Sequence, residues 1–312
     1  MTKPFTTGGY EFKYQLGEIT LFKTAVSLSM QRWLLADGDD VPAPDSVVNE
    51  PLDDAFDGFI LRNVPIAEEL PLVAPVGNFL RYAAFQYLHC YIDLQQSYDD
   101  YLAQFSGKTR STLRRKVKKF REFSGGEIHW AAYSKPDEMR EFFRHARAVS
   151  ALTYQEKLLD VGIPDSEEFA AKLEADAADG LVHGYILFHD DKPVSYLYCP
   201  IEKGALIYAH LGYDPEYAKQ SVGTVLQSLV IEQLCTDGEY RFFDFTEGQS
   251  AHKRLFATHQ VHKANILYLR NTLKNRLLVK SHTLVNRLST ALGNSLERLG
   301  IKKRIKDFLR RR

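Results

Sequence analysis

The spacing of hydrophobic residues changes along the chain, and each change marks an element. "FDGFILRNV" (56–64) and "NFLRYAAFQYLHCYIDL" (78–94) concentrate aromatic and branched residues in strand-like runs. Around the first of them, Gly38 to Gly77 is rich in proline and acid and reads as loops. The pattern turns helical near Ser97, whose hydroxyl precedes Asp99 and Asp100, good chemistry for a helix start. Helix continues through "GKTRSTLRRKVKKFR", where Leu113, Val117 and Phe120 recur at spacings of four and three. Beyond Gly126 the reading is a strand ("EIHWAAY"), a helix with Pro136 near its first turn, and a second helix capped by Asp165 or Ser166 and closed by Gly180. Three strands follow, "LVHGYILFHD", "KPVSYLYCPIEKG" and "ALIYAHLGYD", with tight turns expected at Asp190-Asp191 and Lys203-Gly204. Then come the helix "KQSVGTVLQSLVIEQL" (219–234), the strand "YRFFDFTEG", the short helix "QSAHKRLFATH" and the strand "HKANILYLRN". The order β-α-α-β-β-β-α-β-α-β departs from the regular βα alternation of a doubly wound sheet. It predicts a mixed sheet with an antiparallel meander and one parallel crossover.

Composition changes the picture little. With 312 residues, 45% hydrophobic and 26% charged, the chain has the makings of a globular protein of two lobes. No apolar run approaches the length that crosses a bilayer, and the opening residues lack the apolar core of a secretory signal. Three scattered cysteines, Cys90, Cys199 and Cys235, suit neither a disulfide framework nor a zinc site, so a cytoplasmic location is expected.

Charge changes it more, because the net charge of zero is a cancellation. From Asn271 to the end there are twelve cations against Glu297 and Asp307. A second block holds eight cations between Lys108 and Arg121, while Asp37 to Glu69 holds ten carboxylates against Arg62 alone. Such asymmetry speaks to partners. The tail reads as two helices, the second with Ile301, Ile305, Phe308 and Leu309 on one face among cations. That composition suits an anionic membrane surface, and equally docking on the protein's own acidic lobe. Nucleic acid ranks lower, since stacking aromatics are missing beside those cations.

The helix from Lys219 has the strongest chemical signal. The first amides of a helix have no internal partners and face outward at the positive end of its dipole, where phosphate binds. Gly223 permits close backbone approach, Ser221 and Thr224 add hydroxyls, and Val222, Val225, Leu226, Leu229 and Val230 pack behind. Gly212 marks either a bulge that splays two strands or an ordinary turn. No P-loop, metal-ligand spacing or serine-hydrolase elbow occurs, so no metal is expected.

At these residues the chain resembles the acyl-CoA N-acyltransferase (GNAT) superfamily. Gln220-Ser221-Val222-Gly223-Thr224-Val225 is similar to its Arg/Gln-x-x-Gly-x-Gly/Ala phosphate loop, departing at Val225. "GKTRSTLRRKVKKF", "ALTYQEKLLDVG" and "FFDFTEGQSAHKRLFA" resemble a branch associated with cellulose and exopolysaccharide synthesis and related to Fem-type aminoacyl transferases. The resemblance runs from about Phe105 to Asn271, with His252 where that branch usually has an aromatic. It implies an α/β (α+β) GNAT fold with a mixed, mostly antiparallel central sheet. It also implies an N-terminal companion lobe (1–104), an acyltransferase domain (105–270) and a basic helical tail (271–312).

The implied reaction moves an acetyl or other acyl group from acyl-CoA to an amine or hydroxyl acceptor, such as a sugar of the cell envelope. A Fem-type transferase drawing on aminoacyl-tRNA and a non-enzymatic, membrane-peripheral protein are the alternatives. Acyl-CoA would be held by Leu211, Gln220, Ser221, Val222, Gly223, Thr224, Val225 and Lys253. Attack by an amine needs a base, and Glu247, His252 and Asp244 are the candidates beside the strand "FFDF". Tyr154 and Gln155 are candidates for acceptor contact.

Overall fold

The computed structural model describes residues 4–17, 19–38, 43–153, 162–248 and 250–298. They form two compact units, Met1–Leu88 with Val261–Arg312, and His89–Gln260. The chain begins with β1 (Thr6–Leu16), β2 (Ile19–Arg32), β3 (Gly58–Pro65), β4 (Val73–Val76) and β5 (Phe79–Asp93), the last running from the first unit into the second. Next are α1 (Tyr98–Ala103), α2 (Gly107–Phe123), β6 (Trp130–Tyr133), α3 (Met139–Ser150) and α4 (Glu167–Ala178). The second unit goes on with β7 (Val182–His189), β8 (Lys192–Glu202), β9 (Ala205–Ile207), β10 (His210–Tyr213), α5 (Val222–Asp237), β11 (Phe242–Asp244) and α6 (Ala251–Phe256). Then β12 (His259–Arg270) leads back to the first unit and α7 (Leu273–Arg298).

In the first unit β1 and β2 form a long antiparallel hairpin, β2 runs parallel to β3, and β3 pairs antiparallel with β12. Alternate residues of the hairpin, Phe12 and Tyr14 on β1 and Val26 and Leu28 on β2, turn inward with Tyr82, Leu267 and Val279 of α7. On the other side Phe59, Leu61 and Val64 pack with Trp33, Ile266 and Tyr268. Gly58 is required by that closeness: a Cβ there would lie 1.9 Å from the Tyr268 carbonyl oxygen. Asp45 ties the loop region down, accepting from both Arg81 Nη1 and Tyr268 Oη at 2.8 Å.

The second unit has the strand order β5-β11-β9-β8-β7-β6, with β10 paired to β8. Its pairs are antiparallel except β9 with β11, the single parallel crossover. Side chains of β7 alternate between two cores, which is why its middle, Tyr185 to Phe188, has no charged residue. Tyr185 and Leu187 join Leu113, Phe120, Val225 and Phe256 of α2, α5 and α6. Ile186 and Phe188 join Phe142, Val149 and Leu173 of α3 and α4. The turns are those expected, with positive φ at Asp190 (49°) and Asp191 (59°), and at Lys203 (48°) and Gly204 (76°).

Two local readings change. The helix expected to run on from Ser97 is two helices, because Ser106 Oγ accepts from Thr109 N and starts α2 afresh. The strand expected over "EIHWAAY" pairs only from Trp130 to Tyr133.

Candidate active site

The site is built where two neighbouring strands part. Along β9 and β11 the last parallel partners are Ile207 and Asp244, and Tyr208 N still donates to Asp244 O at 2.8 Å. One residue later Ala209 N donates to Tyr198 O, and β10 continues along β8. The other chain turns away at Thr246, whose φ is 59°. Gly212 sits in β10 opposite Tyr196, and a Cβ there would lie 2.3 Å from the Tyr196 ring, so the glycine serves packing.

Helix α5 starts beside the diverging strand. Gly223 faces it so closely that a Cβ would come within 3.0 Å of Leu211 Cδ2 and 3.5 Å of Tyr213. Ser221, at φ 56°, occupies the N-cap without a side-chain hydrogen bond to the first turn. From α2, Lys116 Nζ donates to Thr224 Oγ1 at 3.2 Å, and Lys119 Nζ to Lys219 O at 2.9 Å. Burial, and then the nearby Arg115, hold the Lys116 pKa below its ordinary value. Two ammonium groups and the positive end of a sixteen-residue helix thus converge on one corner, an arrangement fitted to an anion.

One turn into α5 stands a buried glutamine. Gln227 Oε1 meets His252 Nε2 of α6, an assignment that makes the imidazole the donor and leaves Nδ1 without its proton. Gln227 is fully buried, and its Nε2 has no hydrogen-bond partner among the described residues. Burial, then Lys116 and Lys253, press the His252 pKa down to about 4, so the ring is neutral at pH 7. The ring centroid of Tyr208, at the strand divergence, lies 6.2 Å away. Burial pushes the Tyr208 pKa well up, which keeps its phenol protonated and able to donate.

The remaining expected residues have distinct surroundings. Asp244 is buried, with Oδ1 2.7 Å from His89 Nε2 and accepting from Thr246 N at 2.6 Å. Lys253 Nζ donates to the carbonyls of Phe245 (2.5 Å) and Glu247 (2.7 Å), tying down the loop after β11. The Glu247 side chain is exposed on that loop, and Leu211 and Gln220 are half-buried. Val222, Gly223, Thr224 and Val225 form the buried first turn of α5. Tyr154 and Gln155 fall outside the described residues. The structure therefore gathers His252, Thr224 and Lys253 around Lys116, Gln227 and Tyr208. Of the added three, Gln227 left a trace in the sequence: a polar residue three after Thr224 on an otherwise apolar helix face. Among the described residues no group of three or more His, Cys, Asp and Glu side chains is placed to hold a metal ion.

Comparison with known proteins bears on the fold. Residues 107–254 match the family model described as an acetyltransferase (GNAT) domain, inside the stretch from Phe105 to Asn271 that carried the sequence resemblance. The crystal structure of FemX is similar with a TM-score of 0.50 at 8% identity, covering 88% of this chain and 91% of that one. L-PGS from Bacillus licheniformis is similar with a TM-score of 0.47 at 16% identity, covering 74% of this chain and 72% of that one. No curated protein matches the chain by sequence search. The GNAT fold with its mixed, largely antiparallel sheet is shown, and the domain match supports acyl transfer in general.

Proposed function

We propose that the protein is an N-acyltransferase that takes an acetyl or other acyl group from acyl-CoA and delivers it to an amine, or a hydroxyl, of a small-molecule or glycan acceptor. The observation that carries this reading is the divergence of β9–β10 from β11 beside the N-terminus of α5. A divergent strand leaves backbone groups free to bond an extended arm, and the helix terminus answers the phosphates at that arm's far end. In this reading Ser221, Gly223 and Thr224, with Lys116 and Lys119, hold the pyrophosphate, while Leu211 lines the arm. Sugars of cell-envelope or exopolysaccharide synthesis are the proposed acceptors, on the sequence resemblance alone. A cytoplasmic protein working at the inner face of the membrane fits those acceptors.

Thioester aminolysis needs a neutral amine, a polarised carbonyl and a proton for the departing thiolate. We assign the amine's proton to the neutral imidazole of His252, with Glu247 receiving protons from solvent-side acceptors. The imidazolium so formed returns that proton to the departing thiolate, and the phenol of Tyr208 offers the sulfur a hydrogen bond without losing its own proton. Asp244 acts through structure, holding the Thr246 amide and facing His89.

Calorimetric titration with acetyl-CoA and CoA, on wild type and Gly223→Glu, tests the reading. Saturable binding that the variant loses supports it; a folded wild type that binds no acyl-CoA of any chain length refutes it. One observation favours a second donor: Arg114, Arg115, Lys118 and Arg121 are exposed along α2, a row suited to an RNA backbone. Steeply salt-dependent binding of aminoacyl-tRNA, with indifference to CoA, would establish that alternative.

A further inference from the structure

Helix α7 is amphipathic in an unusual sense, because both of its faces carry apolar residues. The inner face, with Asn275, Val279 and His282, is buried against β1, and Tyr14 Oη reaches Ser281 Oγ at 2.8 Å. The outer face exposes a row of leucines: Leu273 (74%), Leu277 (59%), Leu284 (58%), Leu288 (51%) and Leu292 (51%). Scattered exposed leucines are ordinary, but five on one helix face form a patch that has to meet something. The hairpin tip adds Ile19, Leu21 and Phe22, all more than half exposed. It is tied to the same helix, since Gly17 N donates to Ser289 Oγ at 2.9 Å and Phe22 stacks on Tyr14 at 4.0 Å.

Charge along the row has one sign. Between Leu273 and Ser295 the cations are Lys274, Arg276, Lys280 and Arg287, with no acid among them. At about 100° per residue, Arg276, Lys280 and Arg287 fall together along one edge of the leucine arc. Arg287 also lines a cavity of 380 Å³ with Thr283, Asn286 and Tyr82, a concave seat beside that edge. No helix among the described residues is long and apolar enough to cross a membrane.

We propose that the outer face of α7, with the β1–β2 tip beside it, docks the protein on an anionic phospholipid surface, leucines among the acyl chains and cations at the phosphates. Leucine flanked by cations, with no compensating acid, is the composition of an interfacial helix. Other occupants fit less well. A second copy would need a coiled-coil seam, but the best heptad register here, 277-281-284-288-291-295, includes Ser281, Ala291 and Ser295 and omits Leu273 and Leu292. The segment 299–312 bears seven cations and one acid, the same sign as α7, so it lacks complementarity for this face. The inference deepens the peripheral placement proposed above and is independent of the acyl donor, which the calorimetric titration tests separately.

The experiment is co-flotation of the full chain with phosphatidylcholine vesicles and with vesicles that also contain phosphatidylglycerol. Wild type is expected to float with the anionic vesicles alone and to be released by high salt. Leu284→Gln with Leu288→Gln changes two exposed side chains, leaves the fold intact by circular dichroism, and should weaken partitioning about a hundredfold. A Phe22→Ser change at the tip should weaken it as well. Failure of wild type to float overturns the proposal. So does unchanged flotation of the double leucine variant, which would place attachment in the cationic segment beyond residue 298. A stable wild-type dimer in sedimentation that the leucine variant dissolves would assign the face to a second copy instead.

Discussion

The neutrality of His252 has a measurable consequence for acid stability. In the unfolded chain its imidazole takes a proton near 6.5; in the folded protein burial, Lys116 and Lys253 delay that to about 4. Between those values the unfolded state holds more protons, so stability must fall as pH falls. Above 6.5 both states are neutral and below about 4 both are charged, so the slope is confined to that window. The full loss is at most about 3 kcal/mol, from 1.36 kcal/mol for each pH unit between the two values. Burial lowers His145, His183, His210 and His282 in the same direction, so wild type alone cannot isolate the effect. Urea unfolding of wild type and His252→Gln across the window does isolate it, because the other four cancel in the difference. The wild type should lose stability relative to the variant as pH falls. Lys116→Met should move the imidazole's midpoint upward, since it removes one of the two cations beside it. A difference independent of pH between 6.5 and 4 would refute both the burial and the neutral-base role built on it.

Two other substitutions test the frame around the site. Gly58→Ala drives a Cβ to 1.9 Å from the Tyr268 carbonyl oxygen, backbone that has no flexible way out; thermal unfolding should show a loss of about 3 kcal/mol or more. Asp244→Ala takes the carboxylate from the buried His89 and from the Thr246 amide, so about 1 to 3 kcal/mol of stability should go in urea unfolding, whatever the effect on turnover.

Much of the second unit was legible because its local signals agree with its tertiary ones. The meander from Val182 to Tyr213 could be read from apolar runs punctuated by Asp190-Asp191 and Lys203-Gly204, turn residues that tolerate positive φ. The α5 turn was legible because bare amides need glycine and small hydroxyls. The hairpin β1–β2 was not anticipated, although it holds 25 residues in two of the longest strands. Much of it faces outward, so Ile19 to Lys23 is exposed throughout and its inward alternation shows only in Phe12, Tyr14, Val26 and Leu28. The contributions of Lys116 and Tyr208 were equally hidden. Lys116 lies in a run of eight cations where nothing local distinguishes the one that reaches Thr224, 108 residues on. Tyr208 matters because β9 parts from β11 there, and a parting of strands is a property of pairing, which no single segment encodes. Capping explains the break between α1 and α2 in the opposite way: Ser106 was visible, but its hydroxyl competes with helix continuation only once Thr109 N is in reach.

Lys253 shows how a residue read for one role can be separated from another that its contacts support. A cofactor-binding lysine would offer its ammonium to a phosphate. Here the ammonium is already committed to two carbonyls, Phe245 O and Glu247 O, on either side of a residue with φ of 59°. Such bonds to a charged donor are worth about 1.5 to 3 kcal/mol each when both partners are shielded, and a left-handed Thr246 persists only if its surroundings hold it. Lys253→Met keeps the stem and removes the donors. If the lysine chiefly secures the loop, the variant loses stability and the loop's backbone protection from hydrogen exchange, and acyl-CoA affinity falls only as far as the loop moves. If it chiefly binds phosphate, stability is kept and affinity alone falls, by an amount that added salt diminishes in wild type but not in the variant. The two carbonyl bonds make the first outcome the expected one. A variant as stable as wild type, with amides 245–248 still protected, would refute it and return Lys253 to the cofactor.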